Sequence, residues 1–275
     1  MTRLSFALAR HCGAIAGSLT LLTLLGVTTR PAIAQSSEIP DELQDAVSEA
    51  VERANQGDLK GVMNLYSSNF RHDDGLDIEQ TRAAIARLWD THDTLEYEAT
   101  IESWERQGDA IEAIVQTGLT GTQSSERGDF QLEGLSTVRN RYIPSPSSGE
   151  LLLVAQEVLS ESTTLTSGDR PPQFDLNLPA YVAMGAEYDL EAIVTEPLGD
   201  RVLLGAVIDN AADLESYQTD IPFPLQPLQA GGLFRRADAP FKPSSEWISV
   251  MLIGDGGITI EGRRLNVVRR DEVPQ

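Results

Sequence analysis

With 275 residues, 41% of them apolar, the chain is long enough for two domains of ordinary size and rich enough to bury cores, which speaks against intrinsic disorder. Forty-two acidic against 21 basic residues give a formal charge of −21, a field that repels phosphate backbones and anionic lipid surfaces, so nucleic-acid binding is not expected. Cys12 is the only cysteine, which leaves no disulfide framework and no thiolate metal site.

Residues 1–34 read as a targeting segment. Arg3 and Arg10 form a basic start, the run from Cys12 to Val27 is apolar with small residues and threonines, and Ala32-Ile33-Ala34 is a cleavage signature with Gln35 after it. The apolar run is short for a membrane span, so the mature chain is expected to be exported, periplasmic or extracellular, without a span. Ala9-Arg10-His11 before Cys12 lacks the small aliphatic pattern of a lipid-attachment site. Removing Arg3, Arg10 and Arg30 with this leader takes the charge from −21 to −24.

The first half, residues 39–166, begins with helices. Pro40 with Asp41 and Glu42 suits a helix start, and Leu43, Val47, Ala50, Val51 and Ala54 share one face. Gly57 ends this helix and Asp58 caps a second, whose apolar stripe is Leu59, Val62, Met63, Tyr66 and Phe70. A polar turn over 71–75 follows. Asp77 with Gln80 forms a capping box for a third helix carrying Thr81, Ala84, Ile85, Leu88, Trp89 and His92. Four strands come next, over 95–105, 110–121, 130–142 and 151–162. Their short turns predict an antiparallel meander. The first alternates cleanly, with Leu95, Tyr97, Ala99 and Ile101 on one face.

The entrance Asn55-Gln56-Gly57-Asp58-Leu59, the following Leu65-Tyr66-Ser67, the third helix ending in Leu88-Trp89, and Ser103-Trp104 at the end of the first strand resemble the nuclear transport factor 2-like superfamily, in particular its SnoaL-like branch. The resemblance covers about residues 39–166. It implies an α+β cone, a curved antiparallel sheet covered by three helices, with a pocket between them and a homodimer through the outer face of the sheet. The superfamily includes isomerases, cyclases, dehydratases and non-enzymatic binding modules, and the fold does not choose among them.

Residues 167–172, Ser-Gly-Asp-Arg-Pro-Pro, read as a linker between two independently folding units. Residues 173–270 read as all-β: short alternating strands near 174–178, 188–195, 202–208, 225–229, 233–235, 247–253 and 258–268, separated by Gly- and Pro-rich turns. Seven or so strands in under 100 residues suggest an immunoglobulin-like β-sandwich in outline only, because the Cys–Trp–Cys pattern is absent.

Chemistry is weakly signalled. His72-Asp73-Asp74 could act as an acid/base pair or hold a cation, but it reads more simply as a solvated turn, and the spacing of Asp73, Asp74, Asp77 and Glu79 does not fit a calcium loop. No metal and no cofactor are expected. Gly-x-Ser-x-Gly is absent, and Gly254-Asp255-Gly256-Gly257 is a hairpin turn without the following helix a phosphate loop needs. His72, Asp73 and Tyr66 are the weak catalytic candidates. Isomerases of the superfamily pair a carboxylate base with a tyrosine or acid, but Tyr66 and Asp73 cannot be placed on matching positions, and that mechanism is not carried over. Tyr66, Trp89, Trp104 and Gln156 are the candidate ligand-binding residues. Trp104 falls on the polar face of its strand and reaches the pocket rim only through a bulge near Ser103. On the last strand either Gln156, with Leu152, Val154 and Val158, or Glu157, with Leu153 and Leu159, faces the pocket. Two functions follow as expectations: a non-catalytic module holding a small apolar ligand or a partner segment, or a SnoaL-like enzyme acting on a small hydrophobic substrate. Two or more ionisable groups converging in a closed cavity would favour the enzyme.

Overall fold

The computed structural model describes residues 38–125, 128–197, 202–213, 222–228 and 231–274. The targeting segment and its cleavage site lie outside them, as do parts of the turns at 123–128 and 197–200 and the end of the strand at 225–229. Helix α1 (Asp41–Asn55) starts behind Pro40, with Asp41 and Glu42 in its first turn and Arg53 in its last, matching both ends of the macrodipole. Gly57 takes the left-handed conformation, φ 68°, that ends α1, and Asp58 accepts from Gly61 N–H at the start of α2 (Leu59–Asn64). The capping box expected for α3 (Ile78–Thr91) is present: Asp77 accepts from Gln80 N–H, and Gln80 Oε1 accepts from Asp77 N–H.

The second helix is shorter than the sequence suggests. Tyr66 and Phe70 lie not on a helix but on strand β1 (Tyr66–His72). The positions 59, 62, 63, 66 and 70 fit a helical period, but Ser67, Ser68 and Asn69 are weak helix formers flanked by two aromatic residues that suit a strand. An edge of the sheet is there to receive them: β1 pairs in parallel with β5 (Leu151–Ser167), His72 standing opposite Gln156.

The fold is a mostly antiparallel sheet with few helices. β2 (Thr94–Gln107), β3 (Ala110–Ser125), β4 (Gly128–Pro144) and β5 form the expected meander. The sheet does not stop there. β13 (Gly257–Val268) pairs with the C-terminal half of β5, Ile258–Arg263 against Ser162–Ser167, and carries the sheet on through β12 (Ser244–Gly254), β9 (Leu204–Ala211) and β10 (Gln226–Pro227). β7 (Tyr181–Ala183) adds to β13 in parallel. The expected division into a cone and a separate sandwich is therefore not how the strands pair: β5 gives its N-terminal half to β1 and its C-terminal half to β13. β6 (Phe174–Asn177), β8 (Glu187–Val194) and β11 (Gly232–Asp238) make a second, three-stranded sheet, and Leu176, Leu190 and Ala192 from it pack on Ile248, Val250, Leu252, Leu265 and Val267. Each of these leucines, isoleucines and valines, withdrawn almost completely from water, contributes about 1.5–3 kcal/mol before entropy is counted.

The first core lies between α1 and the meander, around Leu43, Phe70, Ile111, Ala113 and Val115. The bulge near Ser103 is present. The β2–β3 register passes from Ile101 opposite Val115 to Ser103 opposite Ile114, leaving Glu102 over, so Trp104 turns inward beside Ala99 and Ile101.

Candidate functional site

Between α1, α2, α3 and the inner face of the meander lies a cavity of about 250 Å3. It exists because the helix faces that cover the sheet are built from small residues. Ala46, Ala50 and Ala54 on α1 and Ala84 on α3 stop at Cβ and leave the space a larger side chain would fill. The rest of the wall is mainly apolar, with Val62, Leu65, Ile85, Leu88, Val115, Leu119 and Leu153.

Of the expected ligand-binding residues, Tyr66, Trp89 and Gln156 line this cavity. Trp104 does not. The bulge brings it to the inner face, but there it packs on the first core and stays outside the cavity wall. Of the catalytic candidates, His72 and Tyr66 reach the wall and Asp73 stands behind it.

The polar groups gather along β1, β4 and β5. Gln156 Nε2 donates to Asn140 Oδ1 at 2.9 Å, and Asn140 Nδ2 donates to the Tyr142 hydroxyl at 3.1 Å. Trp89 Nε1 donates to the Tyr97 hydroxyl at 2.9 Å. Burial pushes the Tyr66 and Tyr97 hydroxyls up to about 12 and that of Tyr142 higher still, so all three remain protonated donors near neutrality. Thr81 Oγ1 on α3 is buried with no hydrogen-bond partner among the described residues, and Thr81 belongs to the wall.

Gln156, and not Glu157, faces the cavity, but with Leu151, Leu153 and Val158 rather than Leu152 and Val154. The β4–β5 register shifts twice, leaving Val154 and then Leu159 without a partner. Each bulge reverses the alternation. The second one turns Glu161 inward, opposite Ser136, and both join the wall.

The turn after β1 is solvated only in part, at Asp73 and Gly75. Asp74 is buried, and both its oxygens accept from Arg264 on β13, Nη1 to Oδ1 at 2.8 Å and Nη2 to Oδ2 at 2.7 Å. The same guanidinium reaches Glu161 Oε2 from Nη2 at 3.1 Å and from Nε at 3.3 Å. Burial raises the Glu161 carboxyl above the ordinary range and the Asp74 charge adds to this, while Arg264 opposes both. Asp73 N–H donates to Gln156 O and its Oδ2 accepts from Val158 N–H, each at 3.0 Å. Burial of Asp73 works against its ionisation, yet the His72 contact, the Val158 bond and the Arg264 charge together hold its carboxyl below the ordinary range. His72 Nδ1 lies 3.1 Å from both Asp74 N–H and Asp73 Oδ1. Unprotonated it accepts from the amide, and protonated it donates to the carboxylate. His72, Asp73 and Asp74 lie close enough together for one cation, within 4.8 Å, but Asp74 already holds Arg264 with both oxygens.

Sequence reasoning missed Glu161, Asp74 as a buried group, and Arg264. Glu161 depends on a bulge that no local pattern marks. Arg264 and Asp74 are 190 positions apart, and neither has an unusual neighbourhood in the sequence.

A family model described as a domain of unknown function (DUF8623) matches residues 169–268. It begins inside the segment expected as a linker and ends with β13. No curated protein matches the chain. Similar solved structures include a conserved protein from Planctomyces limnophilus at 18% identity, covering 42% of this chain and 91% of that one with a TM-score of 0.36. A putative scytalone dehydratase from Novosphingobium aromaticivorans is similar at 10% identity over 42% and 80% of the two chains, TM-score 0.34. A Nostoc punctiforme protein of unknown function with a cystatin-like fold is similar at 10% over 42% and 86%, TM-score 0.33.

Proposed function

We propose that the protein binds a small, largely apolar molecule in this cavity, with one polar end of the ligand against the strip formed by His72, Gln156, Asn140 and Glu161. The observation that carries this is the wall itself: apolar over most of the helices and much of the sheet, with its imidazole, carboxyl and amide side chains, His72, Glu161, Gln156 and Asn140, all on the β1–β5–β4 side. That division suits a ligand with one apolar body and one polar end. The test is fluorescence of the neutral probe N-phenyl-1-naphthylamine with the wild type and with Ala50→Phe and Ala84→Phe, which fill the space from two different helices. Binding to the wild type and its loss in both folded variants is the expected result. Unchanged binding in both would refute the assignment.

A second reading, acid/base catalysis on such a molecule, is favoured by one observation: two ionisable side chains, His72 and Glu161, reach the same wall, with Asp73 against His72. The two readings separate on a ligand that co-purifies with the protein. Turnover by the wild type and its loss in His72→Gln mark an enzyme, and an unaltered ligand marks a binding module. We also propose export, on the basic, apolar and Ala-x-Ala series of residues 1–34. No helix among the described residues is long and apolar enough to cross a membrane.

A further inference from the structure

We infer that the cavity selects a ligand whose polar end is a cation, a small hydrophobic amine, and discriminates against the corresponding carboxylate or phosphate. The inference rests on the ligand-binding reading above and specifies the chemistry of the end that His72 and Glu161 receive.

Charge decides it. Among the described residues, no lysine or arginine belongs to the cavity wall. Apart from three tyrosines, its titratable members are His72 and Glu161. Behind this end stand Asp73, Asp74 and Arg264. Three carboxylates against one guanidinium leave two negative charges with a neutral imidazole and one with an imidazolium, so no protonation state of His72 makes the end positive while the carboxylates are ionised. The guanidinium is also committed. It grips Asp74 with two bonds and Glu161 Oε2 with two more, and its side chain is fully buried. An anion could recruit it only by displacing a carboxylate already in place.

Glu161 has one oxygen to give. The hydrogen bonds it accepts from described residues all go to Oε2, and none of those residues donates to Oε1. A protonated amine in the cavity supplies both a donor for that oxygen and a counter-charge for a buried, under-compensated site. Tyr66, Trp89 and Tyr97 in the same wall present aromatic surface, which also favours a cation over an anion.

The experiment uses the full mature chain and three matched molecules, 2-phenylethylamine, 2-phenylethanol and phenylacetate, each displacing N-phenyl-1-naphthylamine at pH 7. The amine is expected to displace the probe on the order of tenfold better than phenylacetate, a difference of about one unit charge met in a screened site. Glu161→Gln should cut the amine-to-carboxylate ratio severalfold. Because that change lies beside the buried Arg264, Asp73→Asn, at a more exposed position, is the second variant and should shift the ratio the same way. Phenylacetate equal to or better than the amine overturns the inference, as does a ratio unchanged in both variants. Probe binding with displacement by none of the three also overturns it, leaving the cavity reading in place. Failure of the probe itself to bind removes both.

Discussion

Replacing Arg264 by methionine keeps much of the stem's volume and removes only the guanidinium, so it isolates what that charge does at the junction of β13, β5 and the turn after β1. The group is buried and makes four hydrogen bonds to two buried carboxylates. Breaking a buried pair by deleting one partner costs about 3–5 kcal/mol, because the charge left behind has neither water nor a counter-ion. Against a whole-domain stability of about 5–15 kcal/mol this is a large fraction. At a urea slope of about 3 kcal/mol/M it moves the unfolding midpoint down by about 1–1.7 M. Tryptophan fluorescence and far-ultraviolet circular dichroism in urea read it directly. The pH dependence gives the second half of the test. Burial already raises the folded-state Glu161 carboxyl and Arg264 opposes this; the variant removes that opposition, so the carboxyl rises further, the folded chain binds more protons above the ordinary carboxylate range, and its stability relative to wild type falls as pH rises. The deficit relative to wild type should be smallest below about pH 4 and grow as pH rises toward neutrality. Adding Asp74→Asn and Glu161→Gln should recover part of it at pH 7. A loss under about 1 kcal/mol, or one that does not vary with pH, would refute the account of Arg264 as the counter-charge for two buried acids.

His92 caps α3 with Nδ1 2.8 Å from Leu88 O, while its Nε2 is buried without a partner among the described residues. Burial lowers its pKa below the ordinary 6.5, so it contributes stability that is present above that value and lost as pH falls through the lower folded value; His92→Asn should flatten this decline in pH-dependent melting, and an unchanged decline would assign it elsewhere. Trp104→Phe should lower stability by about 1–2 kcal/mol through lost core contacts and leave binding of the naphthylamine probe unchanged, with loss of binding contradicting the position found for it. A chain ending at Ser167 opens half of one edge of β5 and strips Asp74 and Glu161 of Arg264. It is expected to melt without cooperativity by circular dichroism, and a sharp transition at the full-length temperature would show that the first half stands alone.

Where local chemistry decides the outcome, the sequence was legible. The caps at Asp58 and Asp77 and the stop at Gly57 involve residues within a turn of one another, and each appears where the pattern puts it. The bulge near Ser103 was legible for another reason: a tryptophan on a polar face conflicts with its neighbours, and a skipped residue removes the conflict. Tyr66 and Phe70 were misread because five apolar positions fit a helix by spacing, whereas the deciding influence, the open edge of β5, lies more than eighty positions away. The two bulges of β5 left no mark at all. Leu151 to Leu159 is apolar on both faces apart from Gln156 and Glu157, so a shifted register buries leucine and valine as well as the regular one does, and the alternation rule has nothing to detect. Glu161 was lost with that register.

The second bulge also shows how a half of the chain whose described residues contribute no side chain to the cavity wall still shapes it. A bulge frees backbone groups that the ladder would have paired, and buried ones need other partners. Here Val158 N–H goes to Asp73 Oδ2 at 3.0 Å. Leu159 O accepts twice, from the Tyr181 hydroxyl and from Asn266 Nδ2, each at 2.9 Å. Tyr181 and Asn266 belong to β7 and β13, as Arg264 does, and all three fall within the matched residues 169–268. One set of contacts from that half thus holds the distorted stretch of β5 that faces Glu161 into the cavity, and another holds the Glu161 carboxylate once it is there. Without the first set, a regular β5 would bring Ser160 to the same row in place of the acid; without the second, the acid would stay buried with no counter-charge. The apolar part of the pocket is a property of the first half, whereas its electrostatic character is made jointly by both.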